Sequence, residues 1–181
     1  MPSDKRYPIP AQEAERLKVL ADLHLLDTRD DSHLDHITQM VARYFQAPIV
    51  LISLVDKDRQ WFKSCVGLEA EQTPREDAFC NYTILDGDAF EVPNALEDPR
   101  FVNNRLVTGE PHIRYYLGSP VTSAGMRIGT LCVIDQVARP AATEEQRKVL
   151  ADFAQLVTRE IEVRETLRQT LQTVRGALKF G

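Results

Sequence analysis

The chain has 181 residues, enough for about one domain, with 22 Lys and Arg against 27 Asp and Glu and a formal charge of −5. That acidic balance excludes an electrostatic nucleic-acid binder, which needs a surplus of cations to displace counterions. The 43% hydrophobic content builds a core and excludes disorder of the whole chain. The longest unbroken apolar stretch, residues 47–52, falls far short of the about 20 residues that cross a bilayer. The opening MPSDKRYPIP carries no apolar run, so neither a signal peptide nor membrane insertion is expected. Cys65, Cys80 and Cys132 cannot all pair within one chain, and none sits in a CxxC. Reduced, mostly buried thiols in a cytoplasmic protein are predicted.

Residues 1–10 hold three prolines and no period, which reads as a flexible arm. From Ala11 a helix is expected, with Ala14, Leu17, Ala21 and Leu25 on its apolar face. LDTRDD interrupts it, and Ser32 to Asp35 fits a capping box opening a second helix. That helix presents Leu34, Ile37, Val41 and Phe45 and stops before Pro48. Residues 48–56 are apolar at almost every position, as in a central strand buried on both faces. After the turn Asp56–Arg59, residues 60–67 alternate as a strand, with Trp61, Lys63 and Cys65 on one face and Phe62, Ser64 and Val66 on the other. Residues 67–113 are mixed: TPRED and DGD are polar breaks, while AFCNYTIL and FEVPNA are short ordered candidates. Residues 114–122 and 126–135 read as a hairpin joined by Ser123-Ala124-Gly125. Thr143 to Gln146 is a second capping box, opening a helix to about Leu178 that would run roughly 54 Å. Along it Leu150, Phe153, Val157, Glu160, Arg164, Leu167, Leu171, Val174 and Leu178 form a heptad seam broken at Glu160 and Arg164. Strand hairpins with helices packed against them give an α+β class.

Several blocks in order and spacing, LDTRDDSHLDHITQMVARYFQAPIVLISLVDKDRQWFKSCVGL, TPREDAFCNYTI, NALEDPRFVNNRLVTGEPHIRYYLGSPV and RIGTLCVIDQVARP, resemble a bacterial GAF domain. The resemblance covers about residues 13–165 and is to the subgroup that precedes histidine kinase, GGDEF or phosphodiesterase modules. It implies a six-stranded antiparallel sheet flanked by helices, in a sensory and dimerising module whose ligand differs between members. On this reading residues 11–165 form the GAF domain and residues 166–181 a signalling, coiled-coil extension. The expected function is non-enzymatic: a dimeric sensory module that takes a small ligand beside the sheet and relays its state through the last helix. The alternative, from another class, is a thiol redox enzyme like the GAF-type free methionine sulfoxide reductases, although their cysteine spacings are absent.

By the same resemblance the cavity is crossed by residues 73–85 and 94–113. Phe79, Cys80, Phe101, Arg114 and Tyr116 then supply apolar walls with a few polar groups, the usual make-up of a ligand pocket. Arg114 is expected either to meet an anionic ligand group or to pair internally with Asp98 or Glu110. Cys80 and Cys132, set among apolar neighbours, read as packing, and Cys65 beside Lys63 is less committed. A bilin-attachment cysteine would be followed by histidine, whereas Asn81 follows Cys80. The cyclic-nucleotide signature is incomplete, since Asn103-Asn104 is not followed by lysine. His24, His33, His36 and His112 complete no metal site, and no P-loop, GxGxxG or GxSxG is present. The sequence names no cofactor. Its expected partners are a second copy, a small molecule and an output domain.

Overall fold

A computed structural model describes residues 7–28, 31–85 and 87–178. The expected arm over residues 1–6, part of the LDTRDD and DGD breaks (residues 29, 30 and 86) and the last residues of the extension (179–181) lie outside the described residues. Helices α1 (Glu13–Asp22) and α2 (Ser32–Phe45) precede strands β1 (Ile49–Val55) and β2 (Arg59–Val66). The mixed centre contains β3 (Gln72–Pro74), a single 3-10 turn at Arg75–Asp77, α3 (Cys80–Thr83), β4 (Phe90–Val92) and α4 (Arg105–Thr108). The hairpin β5 (Tyr115–Ser123) and β6 (Met126–Asp135) leads into α5 (Glu144–Leu178).

The six strands form one sheet in the order β3-β2-β1-β6-β5-β4, antiparallel at every pairing. All seven β1 residues are buried, because β1 lies mid-sheet and both its faces are covered. One face carries Val50, Ile52, Leu54, Leu131 and Val133 under α1, α2 and α5. The other carries Leu51, Phe62, Cys132 and Ile134 under the short elements of the centre. The domain therefore has two cores that share one sheet. The β5–β6 turn is only two residues long: Ser123 pairs with Met126, and Ala124 and Gly125 both take positive φ, 47° and 77°. That is the mirror-image turn whose twist matches a hairpin.

Four sequence expectations change. In β2 a bulge lets Ile52 pair with Ser64 and Ser53 with Phe62, leaving Lys63 unopposed. The alternation inverts there, so Cys65 shares the face of Phe62 rather than that of Trp61. Helix α2 is capped by Asp31, whose Oδ1 accepts from the Leu34 amide at 3.1 Å, and not by Ser32. Asp35 is released from capping and accepts instead from the Ser64 hydroxyl at 2.6 Å. In α1 the buried residues are Arg16 and Leu20, while Ala14 and Ala21 are exposed. An apolar count misses that face because a charged residue sits on it. The second capping box forms as expected, with Thr143 and Gln146 satisfying each other's amides at 2.9 and 3.1 Å.

The α5 seam divides in two. Leu150, Ala154, Val157 and Ile161 are buried, whereas Leu156, Val163, Leu167, Leu171, Val174 and Leu178 are exposed. A strict seven-residue repeat drifts by about 20° per heptad on a straight helix, so the seam turns away from the sheet as it proceeds. Glu160 and Arg164, the two breaks in the seam, tie α5 to α2. Glu160 meets His33 at 3.1 Å, and Arg164 donates to Asp31 at 2.6 Å. Arg168 still reaches the Asp22 carbonyl at 3.2 Å, so the helix leaves the body later than the sequence suggests.

Arg16 and Arg75, both almost fully buried, share Glu13. Arg16 Nε donates to its Oε2 at 2.8 Å and Arg75 Nη1 to its Oε1 at 2.5 Å. Arg75 also donates to the Asp56 carbonyl at 2.9 Å and to Asn81 Oδ1 at 3.0 Å. Arg75→Met should lower unfolding stability by about 3 kcal/mol in urea titrations, since it strands several buried acceptors at once. Burial alone would raise the Glu13 carboxyl, but hydrogen bonds from Arg16 and Arg75 outweigh it and hold it below its ordinary 4.5. A lowered folded value means stability is gained above the ordinary one and lost as pH falls through the folded one. Stability should therefore fall more steeply below about pH 4.5 in the wild type than in Glu13→Gln, as read by urea midpoints across that range.

Candidate functional site

On the sheet face opposite α5, a cavity of about 380 Å³ lies between the strands and the crossing segments. Its floor is Leu51 of β1, Phe62 of β2, Cys132 and Ile134 of β6, and Tyr116 of β5. Phe79 and Cys80 enter from the start of α3, Leu106 from α4, and residues 67–70 and 110–113 border the opening. The walls are mostly apolar, with a few polar atoms held in fixed geometry. Gln60 accepts from the Ser53 hydroxyl at 3.0 Å and donates to Thr73 at 2.6 Å, which sets its amide.

The polar centre of the floor is a hydrogen-bonded group of buried side chains. Cys80 Sγ lies 3.0 Å from Thr130 Oγ1, and the Tyr116 hydroxyl donates to Cys80 Sγ at 3.4 Å. Tyr116 is also 2.8 Å from Thr83 Oγ1. Its ring lies over Gly118, where a Cβ would stand 2.3 Å from the phenol oxygen, so only glycine admits the tyrosine there. Hydrogen bonding from the Cys132 thiol, aided by Thr130 and Tyr116 and opposed by burial, brings the Cys80 thiol down to about 7. Cys132 is pushed up by its hydrogen bond to Cys80 and by burial. Burial and the charge on Cys80 likewise raise Tyr116. Of the pair, Cys80 is the thiol brought down and Cys132 the thiol pushed up. Cys80 and Cys132 are packed in the second core as expected, and both also line the cavity. Both, with Cys65, are free thiols.

Of the five candidates from the sequence, Phe79, Cys80 and Tyr116 line the cavity, and Phe101 and Arg114 do not. Phe101 stacks behind Phe79, with ring centroids 3.9 Å apart and planes within 8°. Arg114 donates to the Val107 and Ile113 carbonyls at 2.9 and 3.0 Å, bracing α4 against β5. Neither Asp98 nor Glu110 pairs with it: Asp98 holds Arg100 and Glu110 faces His112. The Val107 and Ile113 carbonyls take the Nη1 donors of the guanidinium in place of either carboxylate. Gln60, Leu106 and Ile113 were missed. For Gln60 the signal was present, because alternation sets it on the face of Phe62; Leu106 comes from the single turn of α4 and Ile113 from a loop, whose paths no periodicity reports. Among the described residues no group of three or more His, Cys, Asp and Glu could hold a metal ion.

A family model for the GAF domain matches residues 31–161. The chain belongs to the GAF domain family. A cyclic di-GMP phosphodiesterase of Pseudomonas aeruginosa is 44% identical over 164 residues, which are 90% of this chain and 27% of that protein. The chain thus spans about a quarter of the curated relative it matches. Two solved structures share the GAF fold at low identity. The GAF domain of an Acinetobacter phosphoenolpyruvate-protein phosphotransferase superposes with a TM-score of 0.63 at 17% identity, covering 87% of this chain and 97% of that one. A free methionine-R-sulfoxide reductase from Neisseria meningitidis, in complex with its substrate, superposes at 0.61 and 18% identity, covering 89% and 96%. Both likenesses concern the fold alone. Within the GAF domain the thiol cluster yields a direct check. In Cys65→Ser protein the pH dependence of thiolate ultraviolet absorbance should show a midpoint near 7. That midpoint should rise in Tyr116→Phe, which removes one donor to Cys80.

Proposed function

We propose that this GAF domain is a non-enzymatic sensory module that binds a small molecule in the cavity and passes its state to an output module through α5. One observation carries the reading. Strand β6 points Cys132 and Ile134 into the cavity side, while the alternate residues Leu131 and Val133 pack in the core that seats α5. A ligand that shifts β6 or β1 therefore changes the surface on which Leu150, Val157 and Ile161 rest. The 44% relative, a cyclic di-GMP phosphodiesterase of which the matched residues are 27%, makes a module that turns over cyclic di-GMP the favoured output. Reduced thiols and the absence of a helix long and apolar enough to cross a membrane among the described residues suit a place in the cytoplasm.

The module is proposed to act as a dimer. The exposed stripe on α5 begins at Leu156 and Val163, beside the body, and continues through Leu167, Leu171, Val174 and Leu178. Each such side chain gains about 1.5–3 kcal/mol on full burial, and a two-fold axis makes the stripe its own partner. The double substitution Leu167→Ser and Leu171→Ser should turn a dimer into a monomer in sedimentation at tens of micromolar, with an unchanged thermal midpoint for the body. A wild-type monomer at that concentration would refute the dimer. Native mass spectrometry of freshly purified protein tests the sensory reading itself: a retained small molecule, lost on Ala70→Trp at the cavity mouth, is expected.

A second reading, thiol redox chemistry, is favoured by the contact between Cys80 and Cys132 and by the lowered Cys80 thiol. Under it, Cys80 would be oxidised by a peroxide or sulfoxide and resolved by Cys132 as a disulfide. Turnover of such an oxidant, abolished in Cys80→Ser, would establish this reading in place of the first.

A further inference from the structure

We infer that the cavity selects a cationic amphiphile, a primary amine on an apolar body, and rejects carboxylates and phosphates. This rests on the proposed ligand-binding role of the cavity and concerns which chemistry it admits. The inner part is apolar, with Leu51, Phe62, Phe79 and Ile134 against an aliphatic or aromatic body. Every charged residue that lines the cavity is an acid: Glu69 and Glu110, both exposed at the mouth. Among the described residues no lysine or arginine lines it.

The cations nearby in the fold are already engaged. Arg114 spends its Nη1 on the Val107 and Ile113 carbonyls. Arg105 pairs with Asp77 at 3.1 Å and also with Glu76. Arg100 pairs with Asp98 at 2.5 Å. An anion entering the cavity would lose its water and meet no counter-charge, at a large desolvation cost. An ammonium group placed at the mouth stays partly hydrated and lies between two carboxylates while its apolar body fills the interior. Beside those carboxylates His112 Nε2 lies 3.4 Å from Glu110 Oε1. The one side of the mouth it touches leaves Glu69 without an ion-pair partner among the described residues.

Three probes of one shape test this by titration calorimetry of the full chain: phenylbutylamine, phenylbutanol and phenylbutyrate. At low salt the amine should bind about tenfold or more tightly than the carboxylate, with the alcohol between them. High salt should narrow the gap, and so should Glu69→Gln with Glu110→Gln. Ala70→Trp, an exposed position at the mouth, should weaken all three while circular dichroism shows the fold intact. If the carboxylate binds as tightly as the amine, the charge selection is overturned, and loss of that binding in Ala70→Trp keeps the cavity reading. An amine preference that survives the double glutamine variant overturns the role of the two glutamates. If none of the three binds, the selection and the ligand-binding reading fall together.

Discussion

A guanidinium that loses its water must find its partners in the protein, and Arg75 finds them on three separate parts of the chain. Glu13 comes from α1, the Asp56 carbonyl from the turn after β1, and Asn81 from α3. Asn81 returns a hydrogen bond to the Arg75 carbonyl at 2.6 Å. Since a buried charge missing one partner is costly, these parts can pack only in the arrangement that satisfies it. Asn81 directly follows Cys80, so the same constraint sets where the thiol enters the cavity. The Tyr7 ring closes over the group, 5.4 Å from the guanidinium carbon.

That arrangement divides the work between the two faces of the sheet. The helical face is packed by aliphatic side chains from α1, α2 and α5. The other face is closed by short elements and loops, which cannot fill space as regularly as a long helix does. A cavity remains where their coverage is incomplete, walled in part by Phe79, with Phe101 stacked behind it, and floored in part by Cys132. The cavity and the helical core are thus separated by one layer of strands, and alternate residues of β6 face one or the other.

Helix α5 combines two surfaces whose angular separation follows from its length. The body-facing residues hold it on β5 and β6, and the polar contacts of Glu160 and Arg164 to α2 hold its orientation where the apolar contacts end. Residues that break a heptad seam therefore serve as the joint between packing on the body and the free stripe. The rotation of the helix is set by those contacts, and it decides which apolar residues are left exposed.

The sequence by itself determined the order of the elements, the central place of β1, the capped start of α5 and the family. Each of these is local: a run of β-branched residues, a period of two or 3.6, or a capping box states its outcome within about ten residues. It also gave Phe79, Cys80 and Tyr116 as cavity residues, since alternation and family resemblance agreed there. Only the tertiary structure decided the rest. The bulge at Lys63 that moves Cys65 across the sheet depends on the register with β1. The choice of Asp31 as cap depends on its contact with Arg164, far along the chain. The burial of Arg16 depends on Glu13 and on β6 beneath it. Arg114 was assigned to a ligand on its chemistry, but the carbonyls that α4 turned toward it had already taken its guanidinium. A charged side chain states what it can bind, and the fold decides which partner reaches it first.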